Sequence, residues 1–323
     1  MARFKVCVIF FLFFTGCRDT GNHSARDTPV QTGTAITETA VLKERSDSKV
    51  VEVITRHMEF YSADSISSGW TTFKYVNLSS ETHFLILKKM PEGIHLEDFS
   101  SDIIPVYKEG MDRIIDGDIE FGQKAFEKLP AWNSRVGVIG GVGLVSPGEA
   151  GRSIINLSPG NYLMECYVKR PDGNFHSFMG MLKEIVVTEA NGEQGRPNAA
   201  YEIDLSSENG IALNDIPAKG LQTFAVNFLD QEGYKNLQGH DVHLVRLGKN
   251  ADLDKLSSWM NWMDPKGLMS PAPSDLVFLG GIQELDEGQT GFFQVNLTPG
   301  NYALISEIPD PLSAKMLYLF TVD

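Results

Sequence analysis

The sequence predicts an all-β protein with two tandem Greek-key β-sandwich domains that carry helical insertions. The first observation is an internal repeat: residues 140–168 and 280–308 align without a gap at an offset of 140 positions, and both contain the motif N-L-S/T-P-G-N-Y. The second is a series of short runs rich in β-branched and aromatic residues, separated by turn residues, which is typical of strands. The third is a polar segment, residues 189–200, between two stretches of ordinary domain size.

The first domain is predicted to cover residues 50–188. Its strand signals lie, in chain order, at residues 51–54, 58–61, 72–78, 83–88, 153–157, 162–168 and 181–187. The second domain, residues 201–323, repeats this order. Residues 240–247 of the second domain correspond to residues 83–90 of the first, so the repeat extends the strand assignment from one domain to the other.

Segments between the strands divide into insertions and turns. Apolar residues recur at helical spacing in residues 96–128 and, over a shorter length, in residues 253–263, a pattern more typical of core packing than of a binding surface. The glycine-rich run G-V-I-G-G-V-G at residues 137–143 lacks the strand-turn-helix context of a nucleotide-binding loop. Because Gly280-Gly281 repeats part of this run, we expect a structural turn there.

Residues 1–16 have the layout of an export signal peptide. Arg3 and Lys5 supply positive charge, and the nine apolar residues that follow are too few to span a membrane. The run F-T-G-C that ends at Cys17 resembles the bacterial lipobox, with Phe14 where leucine is usual. The resemblance implies that Cys17 is lipidated and anchors the chain in a bacterial cell envelope, on its periplasmic or extracellular face. Ordinary secretion with cleavage nearby is the alternative.

Composition agrees with an exported, membrane-tethered protein. Residues 17–49 are polar and nearly free of aromatic residues, so we expect a flexible tether. The chain has 28 lysine and arginine residues against 42 aspartate and glutamate residues, and a formal charge of −14 repels polyanions. Nucleic acid is therefore excluded as an expected partner. The expected partners are the membrane, through the N-terminal lipid, and a redox or envelope protein.

Cysteine usage directs attention to Cys166. Of the three cysteines, Cys7 lies in the signal segment and Cys17 would carry lipid, so Cys166 remains as the free thiol. A lone cysteine in an oxidising compartment is a buried inert thiol, an intermolecular link or a metal ligand. The second copy has Ser306 at the corresponding position. Chemistry that needs the thiol is therefore expected in the first domain alone.

The first domain holds His83, Cys166, His176 and Met181, in that order. The motif P-G-x-Y-x3-C ending at Cys166, followed by H-x4-M and a final strand, resembles the cupredoxin family, and so does a histidine after an earlier strand. The resemblance covers most of residues 58–187. It implies one copper ion per chain, with His83 and His176 as imidazole ligands, Cys166 as the thiolate and Met181 as the axial thioether, used for electron transfer or copper handling.

Several alternatives stay open at this point. Met179 competes for the axial role, and nine residues between Cys166 and His176 make a long loop. Without a metal, Cys166 would be a small buried hydrophobe and the two histidines would be surface residues. If a metal is shared, His83 Nδ1, Cys166 Sγ and His176 Nδ1 should converge to within about 4 Å.

Other functions find less support in the residues. The second domain has Ser306 and a shorter loop without histidine, so we expect no copper there and a role as scaffold or binding face. A binuclear centre needs a second cysteine, and an oxidase or nitrite reductase needs His-x-His pairs, whereas His240 and His243 have the wrong spacing. No hydrolase motif is present, so no enzyme activity is predicted. The alternative function is that of a metal-free binding or structural envelope lipoprotein.

Overall fold

The computed structural model describes residues 49–190 and 195–323. The predicted signal peptide, the lipidation site at Cys17 and nearly all of the predicted tether lie outside the described residues, as do residues 191–194 of the predicted linker. In the part of the chain that is described, no helix is long and apolar enough to cross a membrane.

Each half of the predicted repeat folds into its own series of strands. The first domain consists of β1 (Val50–Arg56), β2 (Glu59–Tyr61), β3 (Ser65–Ser67), β4 (Gly69–Asn77), β5 (His83–Lys89), β6 (Gly137–Val145), β7 (Ala150–Leu157), β8 (Gly160–Glu165) and β9 (Leu182–Thr188). The second consists of β10 (Tyr201–Ser206), β11 (Gly210–Leu213), β12 (Gly220–Phe228), β13 (Val242–Leu247), β14 (Leu276–Ile282), β15 (Thr290–Leu297), β16 (Gly300–Ile305) and β17 (Leu317–Val322).

Helical structure lies where the insertions were predicted. Between β5 and β6 the chain forms α1 (Leu96–Asp98), a π-helical turn (Phe99–Ile103), α2 (Ile104–Ile115), α3 (Ile119–Ala125) and two 3-10 turns (Phe126–Lys128 and Ala131–Arg135). Between β13 and β14 it forms the single helix α4 (Leu253–Met260). In α2, Met111 and Ile114 are buried, so this helix covers the sandwich with one apolar face.

Two sheets pack face to face around a shared core. One has the strand order β2-β1-β4-β7-β15-β12-β10-β11, and the other has the order β3-β9-β8-β5-β6-β14-β13-β16-β17. β1 is parallel to β4 and β10 is parallel to β12, whereas most other neighbours are antiparallel. Fully buried aromatic side chains such as Phe73, Tyr75, Phe224 and Phe293 fill the space between the sheets. The predicted fold class, a tandem of all-β sandwich domains with helical insertions, is confirmed.

Both sheets continue from one domain into the other. β6 pairs with β14, with Val142 opposite Ile282, and β7 pairs with β15, with Ser153 opposite Phe293. Each of these pairs joins positions that are equivalent in the repeat. The junction therefore has approximate two-fold symmetry, and the two sandwiches form one body with continuous sheets.

The prediction of a turn at residues 137–143 is wrong, because these residues form β6. Gly141 has φ +147°, and a Cβ atom there would lie 2.0 Å from the backbone oxygen of Leu85 on β5. Gly281 on β14 has φ +123°, and its Cβ would lie 2.1 Å from the oxygen of Val242. The glycines allow close approach of two backbones within a sheet, a requirement that has the same sequence signal as a turn.

The predicted strand at residues 162–168 also differs, since β8 ends at Glu165. Beyond this point the chain leaves the sheet: the backbone N–H of Lys169 donates to the carbonyl of Leu268 in the second domain. Apolar residues continue to Val168 because this part of the loop is buried, which the strand pattern alone does not distinguish from a sheet position.

The close approach at Gly141 predicts a large loss of stability in Gly141→Ala. The added methyl group would displace the β5 backbone, so we expect the free energy of unfolding to fall by more than about 3 kcal/mol. Gly148→Ala is the matched control, since Gly148 also has positive φ but a Cβ added there would meet no atom within 4 Å, and it should cost about 1 kcal/mol. Urea unfolding measures both, and equal losses would contradict the role of close approach.

Candidate metal centre

The four predicted ligands lie at one end of the first sandwich. His83 begins β5, Cys166 directly follows β8, and Met181 directly precedes β9. These strands are neighbours, because Ile86 pairs with Glu165 and Glu165 pairs with Leu182. Strand register therefore brings together residues that lie far apart in sequence. His176 joins them from the 3-10 turn His176–Met179 in the loop between β8 and β9.

Three candidate ligand atoms converge. Cys166 Sγ lies 3.6 Å from His83 Nδ1 and 3.7 Å from His176 Nδ1, and all three atoms lie within 4.8 Å of one another. A trigonal metal with bonds of about 2.0–2.3 Å would hold sulfur and nitrogen about 3.7 Å apart. All three side chains are fully buried, so the alternative of surface histidines is wrong.

Backbone hydrogen bonds close the loop that carries three of the four residues. The N–H of Cys166 donates to the carbonyl of Met181 at 3.3 Å, and the N–H of Met181 donates to the carbonyl of His176 at 3.0 Å. Met181 is fully buried, whereas Met179 is 49% exposed. Burial beside the loop closure favours Met181 over Met179 as the candidate axial ligand.

Glu81 fixes the orientation of the His176 ring. Its Oε2 lies 3.0 Å from His176 Nε2, an arrangement that places the ring proton on Nε2 and leaves the Nδ1 lone pair directed at Cys166 Sγ. His83 Nε2 is buried with no hydrogen-bond partner among the described residues. The role of Glu81 was not predicted from the sequence, although its position two residues before His83 was the available signal.

Burial keeps the three groups neutral when no metal is bound. Desolvation, with the neighbouring His176 ring, lowers the pKa of His83 to about 3, and desolvation also lowers the pKa of His176 to about 3. Desolvation raises the pKa of the Cys166 thiol to about 12. Two neutral imidazoles are ready to bind a metal, whereas the thiol must lose its proton to do so.

A second buried cluster consists of Asp241, His243 and Glu307 in the second domain. His243 Nε2 lies 2.7 Å from Asp241 Oδ2 and 3.1 Å from Glu307 Oε1. His243 Nδ1 accepts the backbone N–H of Leu144 from the first domain at 2.9 Å. An imidazole with an acceptor Nδ1 carries its proton on Nε2 and donates it to Asp241 Oδ2, so these contacts define a hydrogen-bond network rather than a metal site.

This network was not predicted from the sequence. Asp241 and His243 are two positions apart, so in an extended chain their side chains lie on the same face. This spacing was the sequence signal from which the network could have been predicted. Burial raises the pKa of Glu307, whose Oε2 accepts the hydroxyl proton of Tyr167 at 3.0 Å. Tyr167 directly follows Cys166, so the network connects the second domain to the loop of the candidate centre.

The position equivalent to Cys166 is differently bonded in the second domain. The N–H of Ser306 donates to the carbonyl of Met316 at 3.1 Å, matching the backbone bond from Cys166 to Met181. The Ser306 hydroxyl donates to Asp241 Oδ1 at 2.7 Å, and His240 Nε2 lies 3.0 Å from the Tyr234 hydroxyl oxygen. The backbone hydrogen bond is thus retained in the second domain. The side chains at the two equivalent positions, Ser306 and His240, form hydrogen bonds with other protein groups.

A small cavity of about 40 Å³ lies between the two domains, and none of the four candidate ligands lines it. It is lined by the ion pair of Lys88 and Glu165, by Tyr107 and Phe175 from the first domain, and by Trp262 from the second. A cavity that binds benzene measures about 150 Å³, so this one has room for a few water molecules rather than for an organic molecule.

Comparisons with known proteins return similar structures only: no family model and no curated protein sequence matches the chain. Dithionite-reduced auracyanin from Roseiflexus castenholzii is 17% identical over 44% of this chain and 99% of that chain, with a TM-score of 0.27. Auracyanin A from Chloroflexus aurantiacus, described as a blue copper protein, is 20% identical over 43% of this chain and 98% of that chain, with a TM-score of 0.27. Copper-containing nitrite reductase from Thermus scotoductus is 13% identical over 85% of this chain and 61% of that chain, with a TM-score of 0.21.

These identities and TM-scores carry no argument about activity. The strand order described above shows a tandem of β-sandwich domains, and the expectation that these domains are cupredoxin-like stays a prediction. The similar structures include enzymes as well as auracyanin, so the expectation that this chain is not an enzyme stays a prediction.

The buried neutral histidines predict acid sensitivity of the metal-free protein. An unfolded histidine has a pKa of about 6.5, so between pH 6.5 and about 3 the unfolded chain binds more protons than the folded chain at His83 and His176. The free energy of unfolding therefore has its full value above pH 6.5 and falls as the pH is lowered. Chemical unfolding at pH 7 and pH 4 should show a loss of several kcal/mol, of order 3 for each histidine.

His83→Gln isolates one of these contributions and should reduce the loss between pH 7 and pH 4. His95→Gln is the control, because His95 is exposed and Glu184 raises its pKa, the opposite direction. A His83→Gln protein with the acid sensitivity of the wild type would contradict the buried neutral imidazole.

Proposed function

We propose that the first domain binds one copper ion through His83, Cys166 and His176, with Met181 as axial ligand, and uses it for electron transfer or copper handling. The observation that carries the proposal is the pair of distances of 3.6 and 3.7 Å between the Cys166 sulfur and two imidazole nitrogens, in a fully buried setting. Thiolate and imidazole in a trigonal arrangement with a thioether nearby are the donor set of mononuclear electron-transfer copper.

Preorganisation of the ligands supports electron transfer. Strand pairing and loop hydrogen bonds hold the donor atoms near metal-bound separations, so a change in copper oxidation state would need little movement of the protein. His176 contacts Glu81, whose side chain is 26% exposed, so this pair connects the buried site to the protein surface.

We further propose that the protein is exported and attached to a membrane through a lipid on Cys17, with a redox or envelope protein as partner. The export signal in residues 1–16 and the F-T-G-C run support this location. The second candidate function is a metal-free binding or structural envelope lipoprotein. The satisfied hydrogen bonds of Ser306 and His240 favour it for the second domain.

Copper loading tests the metal proposal. Purified protein incubated with Cu(II) should bind about one equivalent and develop intense thiolate-to-copper absorption in the visible range. Cys166→Ser should remove the absorption, because serine offers no thiolate. A colourless wild-type protein without stoichiometric copper would favour the metal-free alternative.

A matched pair of methionine variants tests the axial ligand. Met181→Leu should shift the absorption spectrum and the reduction potential, since it removes the buried thioether, whereas Met179→Leu should leave both unchanged because Met179 is half exposed. Identical spectra for the two variants would contradict the assignment of Met181.

Membrane fractionation tests the anchor. In a bacterial host that processes lipoproteins, the wild-type chain should sediment with membranes and incorporate labelled fatty acid. Cys17→Ser should appear in the soluble envelope fraction without label, because it lacks the acceptor thiol. A wild-type chain without fatty acid would support ordinary secretion instead.

A further inference from the structure

Lys169 lies in the loop between Cys166 and His176 and is fully buried. Its Nζ donates to three backbone carbonyls of the second domain, those of Trp262 at 2.8 Å, Asp264 at 2.5 Å and Pro265 at 3.4 Å. An ammonium group has three N–H donors, and here each has a carbonyl acceptor. The Lys169 side chain is therefore held by backbone groups of the second domain.

The backbone on both sides of this contact is also bonded to the second domain. The N–H of Lys169 donates to the carbonyl of Leu268 at 2.7 Å, and the N–H of Ser270 donates to the carbonyl of Lys169 at 2.7 Å. The Trp262 ring meets the Phe175 ring edge to face, with 5.7 Å between centroids. Phe175 directly precedes His176, so contacts with the second domain reach both halves of the loop.

The contact has no counterpart in the reverse direction. At the repeat offset of 140, Lys169 corresponds to Pro309, which has neither an ammonium group nor a backbone N–H. The second domain thus holds the loop of the first domain, and the first does not hold the equivalent loop of the second in this way. Burying a lysine is costly even with good partners, since desolvation lowers the pKa of Lys169 to about 7.

We propose that the second domain positions the candidate ligands of the first domain through Lys169, which acts as a positioning residue for the Cys166–His176 loop. The second domain, which lacks the thiol, thus supplies the three backbone carbonyls that bind Lys169 and keep the loop closed. The metal-dependent part of this proposal rests on the function proposed above, whereas the loop-closing part does not.

The test uses Lys169→Met in the full chain, which removes the ammonium group and keeps a side chain of similar length. In the metal-free protein, labelling of the Cys166 thiol by an aromatic disulfide should accelerate at least about tenfold, the effect of about 1.4 kcal/mol on local opening. Samples are compared after Cys7 and the lipid-bearing Cys17 are replaced by serine in every variant, so that Cys166 is the reacting thiol. Lys219→Met, which changes an exposed lysine of the second domain, is the control and should label like the reference protein.

The copper-loaded protein gives a second readout. Lys169→Met should shift the thiolate-to-copper absorption or the reduction potential, because the loop would no longer hold Cys166 and His176 in one geometry. If the reference protein binds no copper, the proposed function fails, and the labelling experiment still decides whether Lys169 closes the loop. A labelling rate within twofold of the reference, at equal global stability, would overturn the proposal.

Trp262→Leu keeps the proposal testable if Lys169→Met does not fold. It removes the ring contact with Phe175 and leaves the buried charge and its backbone acceptors in place. Faster labelling of Cys166 in this variant, without a matching fall in the free energy of unfolding, supports control of the loop by the second domain. Unchanged labelling overturns it.

Discussion

Pairing of β5 with β8 and of β8 with β9 is the constraint on which the candidate centre depends. The register sets Ile86 opposite Glu165 and Glu165 opposite Leu182, so residues from three strands meet at one end of the sandwich. A shift by one residue would reverse the face of every side chain on the shifted strand. Cys166 and Met181 stand directly beside β8 and β9, so their positions relative to His83 follow closely from the sheet, whereas His176 lies in the middle of the loop and depends on its conformation.

Contacts with the second domain hold the loop after β8, whose conformation the sheet of the first domain does not determine. Pairing of β6 with β14 holds the domains in fixed register, and from that junction Leu144 donates to His243 while Lys169 reaches the second domain. Tyr167 donates to Glu307 between these contacts. The short segment after β8 is therefore held by strand pairing, by a buried polar network and by the buried Lys169 ammonium. These contacts explain how a long loop can present buried and oriented side chains.

The sequence was sufficient to predict the tandem of β-sandwiches and the proximity of His83, Cys166 and His176, but not the contacts between the domains. The ungapped repeat and the short runs of β-branched and aromatic residues predicted most strands to within a few residues. The resemblance at Cys166 and His176 predicted residues that prove to be neighbours. Gly141 was misread, because a glycine required for close backbone approach has the same sequence signal as a turn. Partners such as Lys169 and the carbonyl of Trp262 could not be predicted, since backbone acceptors carry no sequence signal.

The free-energy cost of ionising the Cys166 thiol distinguishes the two copies of the repeat. Burial raises the pKa of Cys166 to about 12, so forming the thiolate costs about 4 kcal/mol more there than it does for an exposed thiol, and a bound metal would have to offset this extra cost. In the second copy Ser306 makes no such demand, because its neutral hydroxyl donates to Asp241. The second copy thus has a hydroxyl whose hydrogen bond the protein itself supplies in place of the thiol of the candidate centre.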